Sequence, residues 1–323
     1  MLLVKSIFLA TTQYWMMCFP LPKAVIHKIE AICRAFVWTG KDKGRKSPVA
    51  WQQVCRPIKQ GGMDIINMGI WNQVALLKCL WNIANKMDNL WVKWVHFYYL
   101  KRNSIWNAPI PSNCTWIMKA IFDRRSDVQE HQQTWQMMQN IGKFSMKRMY
   151  EKLVPDVPTV NWSSLIQHNQ ARPRAVVCLW LACQDRLATK VRLKRIGILQ
   201  SELCSFCNDA PEDFNHLLIE CRICSAVWKN VLQWLQVRHI PCNWLEEITW
   251  LTSNTRGKGF MQNMLKLSIA ETVYGLWIYR NTNIFDRDNV DNTDSVARKI
   301  VDMIIQRGWM KPKHRDKLAL LML

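Results

Sequence analysis

The run Cys204-Ser-Phe-Cys207, followed by His216 and Cys221, constrains this chain more than any other feature. It reads C-x2-C-x8-H-x4-C. Three thiols and an imidazole so closely spaced fit a tetrahedral zinc site of the three-cysteine, one-histidine type. A segment this short has little apolar core of its own. Metal binding, worth about 10–16 kcal/mol in small zinc peptides, would decide whether it folds. Cys221-x2-Cys224 is itself a C-x2-C pair. Spacing alone therefore leaves open an all-cysteine set that excludes His216, and also a cluster without metal. Four protein ligands would close the site and make it structural, with no open position for a catalytic water. Thiolate ligands suit zinc better than magnesium.

The charge within this module is acidic. Asp209, Glu212, Asp213 and Glu220 lie between Cys204 and Cys221, with no Lys or Arg among them. The loop is thus a poor phosphate contact. The cations lie just upstream: Arg172, Arg174, Arg186, Lys190, Arg192, Lys194 and Arg195. Thr189 reads as the cap of a short helix ending at Gly197. Arg186, Lys190, Arg192, Lys194 and Arg195 are the candidate nucleic-acid contacts, against the alternative of a solvated helix face.

Over the whole chain, 44 Lys and Arg face 24 Asp and Glu, a net charge of +20. Residues 1–150 hold 21 basic and 7 acidic residues, or +14, leaving +6 for the remainder. An excess of this size favours a polyanionic partner, RNA or DNA. With 49% apolar residues in 323, the chain is globular and long enough for two or three domains. Twelve cysteines scattered mainly through apolar stretches argue for a reduced, intracellular protein, not a secreted disulfide scaffold. Met1 to Phe19 reads as a first core helix: its apolar run is short and broken by Thr11, Thr12 and Gln13. No stretch is apolar for the ~18 residues that would suggest a membrane span, so no membrane partner is expected.

Helical periodicity predominates, and strands are expected to be minor. Ile26, Ile29, Ile32, Cys33 and Phe36 repeat at helical steps after Leu21-Pro22. Residues 41–47 form a basic loop, and Gly61-Gly62 marks a turn. A long helix is expected from about Gly69 to Asn85, with Val74, Leu77, Leu80 and Trp81 on one face. Trp91, Trp94, Val95 and Tyr98 form an aromatic stripe, expected to be core. Most of the 18 tryptophans should be core anchors, with a few able to stack on bases. Loop signals at 103–114, 155–158 and 253–259 suggest boundaries. The resulting expectation is a mainly α protein with a helical region at 1–105, a linker with short elements at 106–155, a zinc-binding domain at 156–252 and a C-terminal helical region at 256–323.

Residues 174–198, RAVVCLWLACQDRLATKVRLKRIGI, then LCSFC, EDFNHLLIEC and SAVW, resemble the zinc-binding C-terminal region of plant LINE-type (non-LTR retroelement) reverse transcriptases. The likeness continues outward in the family's order. LPKAVIHKIEAICRAFVWTG, PVAWQQVCRPIKQGGMDIINM and NQVALLKCLW are similar to the segment after the polymerase palm. GKFSMKRMYEKL resembles the motif before the zinc domain, and VYGLWIYRNTNIF the helix after it. The Trp- and Gly-rich stretch usual in that family is not apparent between Phe122 and Ile141.

The resemblance implies a thumb-like region at 1–105, followed by a helical zinc domain with a small CCHC-type knuckle. It implies Cys204, Cys207, His216 and Cys221 as ligands of one structural zinc, leaving Cys224 outside. It further implies RNA or DNA as partner, interaction with retroelement polymerase parts, and nuclear or cytoplasmic residence. Polymerase activity does not carry over. The palm needs an Asp-Asp pair to hold metal ions for nucleotidyl transfer, and the chain has none. No Walker glycine loop, nucleophile elbow or H-E-x-x-H motif is present. His27, His96, His131, His168, His239 and His314 lack evident partners at useful spacing. The expectation is a C-terminal portion of a retroelement protein, not an enzyme in itself. A helical protein-interaction module, or a degenerate element product, is the alternative.

Overall fold

The computed structural model describes residues 10–40, 47–285 and 292–321. Its regular structure is helical, and among these residues extended pairing is confined to one isolated bridge, Leu203 with Pro211. Most of the basic loop expected at 41–47, and the residues before Ala10, lie outside the described segments. No described helix is long and apolar enough to cross a membrane. The chain forms two compact units: residues 1–57 with 62–158, and residues 58–61 with 159–323.

The first unit contains α1 (Ala10–Cys18), α2 (Lys23–Thr39), α3 (Trp51–Val54), α4 (Met68–Ala84), α5 (Leu90–Val95), α6 (Trp116–Asp123), α7 (Arg125–Glu130), α8 (Gln132–Ile141) and α9 (Met146–Leu153). Its axis is α4, against which α1, α2, α6 and α9 pack. The Asn67 side chain starts α4 by accepting the Ile70 N–H at 3.1 Å. Leu77, Leu80 and Trp81 are buried along its length, as the periodicity requires. Asn72 fixes α1's exit: its amide exchanges hydrogen bonds of 2.8 and 3.0 Å with the Leu21 backbone.

The segment expected as a linker with short elements at 106–155 supplies much of this core. Met118, Ile121 and Phe122 from α6, Trp135 and Met138 from α8, and Met149 from α9 join Leu77 and Trp81 in one cluster. Trp135 meets Trp81 edge-on with ring centroids 5.0 Å apart. The Pro- and Asn-rich stretch at 103–114 is irregular chain within the unit, and its own Ile105 and Ala108 are buried. Thr115 and Ser145 cap α6 and α9.

The aromatic stripe expected in the core is mostly outside it. Val95 is buried, but Trp91, Trp94 and Tyr98 are exposed. The reason is local. After six residues α5 widens into a π turn, His96–Leu100. The wider turn breaks the 3.6-residue phase assumed from sequence. Val92, Val95 and Leu100 take the inner side instead, and a His96 ring nitrogen pairs with the Ile83 carbonyl at 2.9 Å.

The second unit contains α10 (Ser163–Ile166), α11 (Pro173–Cys183), α12 (Lys190–Arg195), α13 (Arg222–Trp234), α14 (Trp244–Asn254), α15 (Phe260–Phe285), α16 (Thr293–Trp309) and α17 (Arg315–Leu321). The 26-residue α15 is its spine, packed by α11, α13, α14 and α16. Gly275 lets α16 approach, since a Cβ there would lie 2.6 Å from Ile300 Cγ1. Glu271, fully buried on α15, accepts the Arg172 backbone N–H at 2.8 Å and its guanidinium at 2.6 and 2.9 Å, which fixes the start of α11. The short stretch 58–61 belongs here because the Gly61 carbonyl accepts the Trp180 indole N–H at 2.9 Å and the Gln184 amide at 2.7 Å.

Candidate metal centre

The knuckle is closed by backbone pairing. The Cys204 N–H donates to the Ala210 carbonyl at 2.8 Å, and the Glu212 N–H to the Glu202 carbonyl at 2.6 Å. Asn208 takes the left-handed conformation at the tip, φ +54°, which Asn tolerates better than most residues. Cys204 and Cys207 thereby face inward from one side.

His216 and Cys221 come from the other side, and not by way of a regular α-helix. Five positions apart on an α-helix, they would diverge by about 140°. Residues His216–Glu220 form a π turn instead, and the Cys221 N–H donates to the His216 carbonyl at 2.7 Å. This i→i+5 turn carries both side chains to one face. Asp213 starts it by accepting the His216 N–H at 2.7 Å. Cys221 then stands at the N-terminal boundary of α13, where the helix dipole favours a thiolate.

The four side chains converge. Their ligand atoms lie within 4.8 Å of one another, and all four residues are buried. Cys204 and Cys221 sulfurs are 3.9 Å apart, and the Cys207 sulfur is 3.2 Å from His216 Nε2. Around a tetrahedral zinc, standard bond lengths put sulfurs about 3.8 Å apart and sulfur about 3.5 Å from nitrogen. The donor set therefore fits that ion. Cys224 is also fully buried, one helical turn after Cys221, and is not among the four converging groups.

Protonated, Cys204, His216 and Cys221 hold their protons more tightly than free side chains do. The Cys204 thiol is pushed up to about 12, first by its hydrogen bond with Cys221 and then by burial. For Cys221 the Cys204 hydrogen bond lowers the value, but the Cys224 hydrogen bond and burial outweigh it, and it reaches about 11. Burial pulls His216 down, and its contacts with Cys207 and Cys204 more than offset this. A divalent cation replaces those protons with the charge the thiolates need.

Glu212 ties the knuckle to its surroundings, a role that sequence reasoning missed by counting it only as an acidic loop residue. It is fully buried. Its carboxylate receives the Arg280 guanidinium of α15 at 2.6 and 3.0 Å, the Ser205 hydroxyl at 2.8 Å and the Lys190 backbone N–H at 3.0 Å. The Thr189 side chain makes no cap bond, contrary to the expected cap; Glu212 caps α12 from across the fold. The one sequence hint was Arg280 itself, a lone cation in the apolar run after Glu271. Phe206 stacks on Tyr279 of α15 at 4.7 Å, and Asn283 donates to the Ser205 carbonyl at 2.8 Å.

The five basic residues singled out divide into two groups. Arg186, Lys194 and Arg195 are exposed, while Lys190 and Arg192 are half-buried. The Lys190 ammonium donates to the Leu203 carbonyl at 2.8 Å, and Lys194 pairs with Glu202 at 3.1 Å. Among the histidines read as partnerless, His239 has partners. It lies 2.7 Å from the buried Glu247 carboxylate and stacks on Trp250 at 3.7 Å. Glu247 also accepts the Trp228 indole N–H at 2.9 Å, so the trio braces α13 against α14.

Fold and site together define a mainly helical protein with a Cys3His cluster able to bind zinc. Residues 144–228, which include all four cluster residues, match the family model described as zinc-binding in reverse transcriptase. A putative ribonuclease H protein of Arabidopsis thaliana is 21% identical over an alignment covering 88% of this chain and 60% of that protein. The chain thus spans about 60% of that relative's length. No solved structure matches. Both matches are consistent with a retroelement-derived protein that carries a reverse-transcriptase zinc-binding segment.

Proposed function

We propose that this chain is a nucleic-acid-binding module whose one zinc ion, held by Cys204, Cys207, His216 and Cys221, is structural. The observation that carries the reading is the buried Glu212. One carboxylate links the knuckle, α15 and the first N–H of α12, so a folded knuckle fixes the basic helix. Exposed Arg186, Lys194 and Arg195 are then the phosphate contacts, and the net charge of +20 supplies the wider field. Lys190 and Arg192 support the helix instead. Zinc supplies charge and cross-linking here, and the chain's own residues do the rest.

The chain does not polymerise, in this reading, because it lacks the Asp-Asp pair with which the palm of the reverse transcriptases it resembles holds its metal ions. Its reduced cysteines suit an intracellular setting, in the nucleus or cytoplasm, beside other retroelement polymerase parts.

Binding of the zinc-loaded chain to labelled RNA and DNA at rising salt tests this. The logarithm of affinity should fall linearly with the logarithm of salt. Replacing Arg186, Lys194 and Arg195 by Ala should flatten the slope by about 2–3 units. Affinity independent of salt, or metal-dependent primer extension by the purified chain, would refute it.

A further inference from the structure

We propose that the aromatic face of α5 and its π turn is a stacking platform for single-stranded nucleic acid. This deepens the proposed function and rests on it, but names a surface of the first unit, remote in sequence from α12. Leu90 is 84% exposed, Phe97 83%, Tyr98 52% and Trp94 46%. Such large apolar side chains grouped at the surface call for an occupant.

The arrangement is specific. Trp94 and Tyr98 lie parallel, 5° between planes, with centroids 5.4 Å apart. Tyr99 meets both edge-on, at 5.3 and 5.0 Å, and fixes their orientation. Planar faces held in place in this way offer stacking area without an ordering cost. The π turn, a device frequent at functional sites, is what carries Phe97 and Tyr98 outward.

Charge selects the occupant. Residues 86–106 hold Lys86, Lys93, Lys101 and Arg102 against one acid, Asp88, and all four cations are exposed. Lys93 pairs with Asp88 at the rim, 2.6 Å apart. Protein interfaces are depleted in lysine around their apolar centres. Aromatic faces beside cations are the composition that binds unpaired bases and their phosphates. A duplex hides its base faces, so it would gain only the phosphate contacts.

The test uses the zinc-loaded full chain, a short oligouridylate carrying 2-aminopurine, and a duplex of equal length. Trp94→Ala with Phe97→Ala should weaken single-strand binding about tenfold or more. It should abolish 2-aminopurine quenching while leaving duplex affinity and the salt slope unchanged. Trp94→Phe should retain most of the binding. Lys101→Ala with Arg102→Ala should flatten the salt slope for the single strand. The platform is refuted if the aromatic variant binds the single strand like wild type, or loses single strand and duplex equally. It is also refuted if the variant instead abolishes self-association measured by sedimentation without nucleic acid. If only the α12 alanine variant loses binding, the platform falls and the proposed function stands. If wild type binds neither probe, both fall.

Discussion

Glu212→Ala should be among the most damaging single substitutions in the second unit. The side chain is fully buried, and its partner Arg280 is 3% exposed. Removing the carboxylate leaves a buried guanidinium without its counter-charge, which costs about 3–5 kcal/mol. It also uncaps α12 at Lys190, about 1 kcal/mol more. The expected loss of about 4–6 kcal/mol is comparable with the whole stability of many domains, about 5–15 kcal/mol. Arg280→Met in the same chain should recover much of this, because an apolar side chain needs no counter-charge. Urea unfolding of the zinc-loaded protein followed by tryptophan fluorescence measures these costs, with hydrogen exchange at 190–195 reporting the lost cap. If Glu212→Ala and Arg280→Met prove additive, the two do not act as a pair and the argument fails.

Other outcomes follow from the same packing. Gly62→Ala puts a Cβ 1.8 Å from the Arg56 carbonyl oxygen, so the backbone must move; thermal unfolding should show a loss of about 1–3 kcal/mol or more. Trp135→Ala removes a buried ring packed against Trp81 and Phe144, and should cost about 3–5 kcal/mol in denaturant unfolding. Burial pushes the thiols of Cys33 and Cys79 up to about 11 and that of Cys55 up to about 12. Raised values mean the folded state favours the protonated thiol. Their contribution is therefore complete below the unfolded value near 9 and is lost as pH rises toward 11–12. The Cys55→Ala variant should lose less stability than wild type between pH 8 and pH 11, read by melting temperature.

Helix α4 was legible because Val74, Leu77, Leu80 and Trp81 keep one phase over a long, well-capped run. Ligand chemistry and spacing marked the cluster but left Cys224 as a rival to His216; the family resemblance pointed to Cys204, Cys207, His216 and Cys221, the four side chains that converge. The π turns were not legible. Both His96–Leu100 and His216–Glu220 depart from the 3.6-residue period on which the reading rests, and the first of them exposed an expected core stripe. Glu212 with Arg280, and His239 with Glu247, were hidden for another reason. Their partners lie 68 and 8 residues away, and nothing local marks a carboxylate as buried. The short elements expected at 106–155 are there as α6 to α9, but their share in the core was not legible, because Pro and Asn mark a turn without saying whether a core continues past it.

The most direct test of the account is the zinc content of the purified chain and its variants. The wild-type protein should hold one zinc per chain. Cys204→Ser and His216→Ala should lose it, and Cys224→Ser should keep it. Zinc retained in His216→Ala but lost in Cys224→Ser would contradict the ligand set, and a wild-type chain that takes up no zinc would contradict the account as a whole.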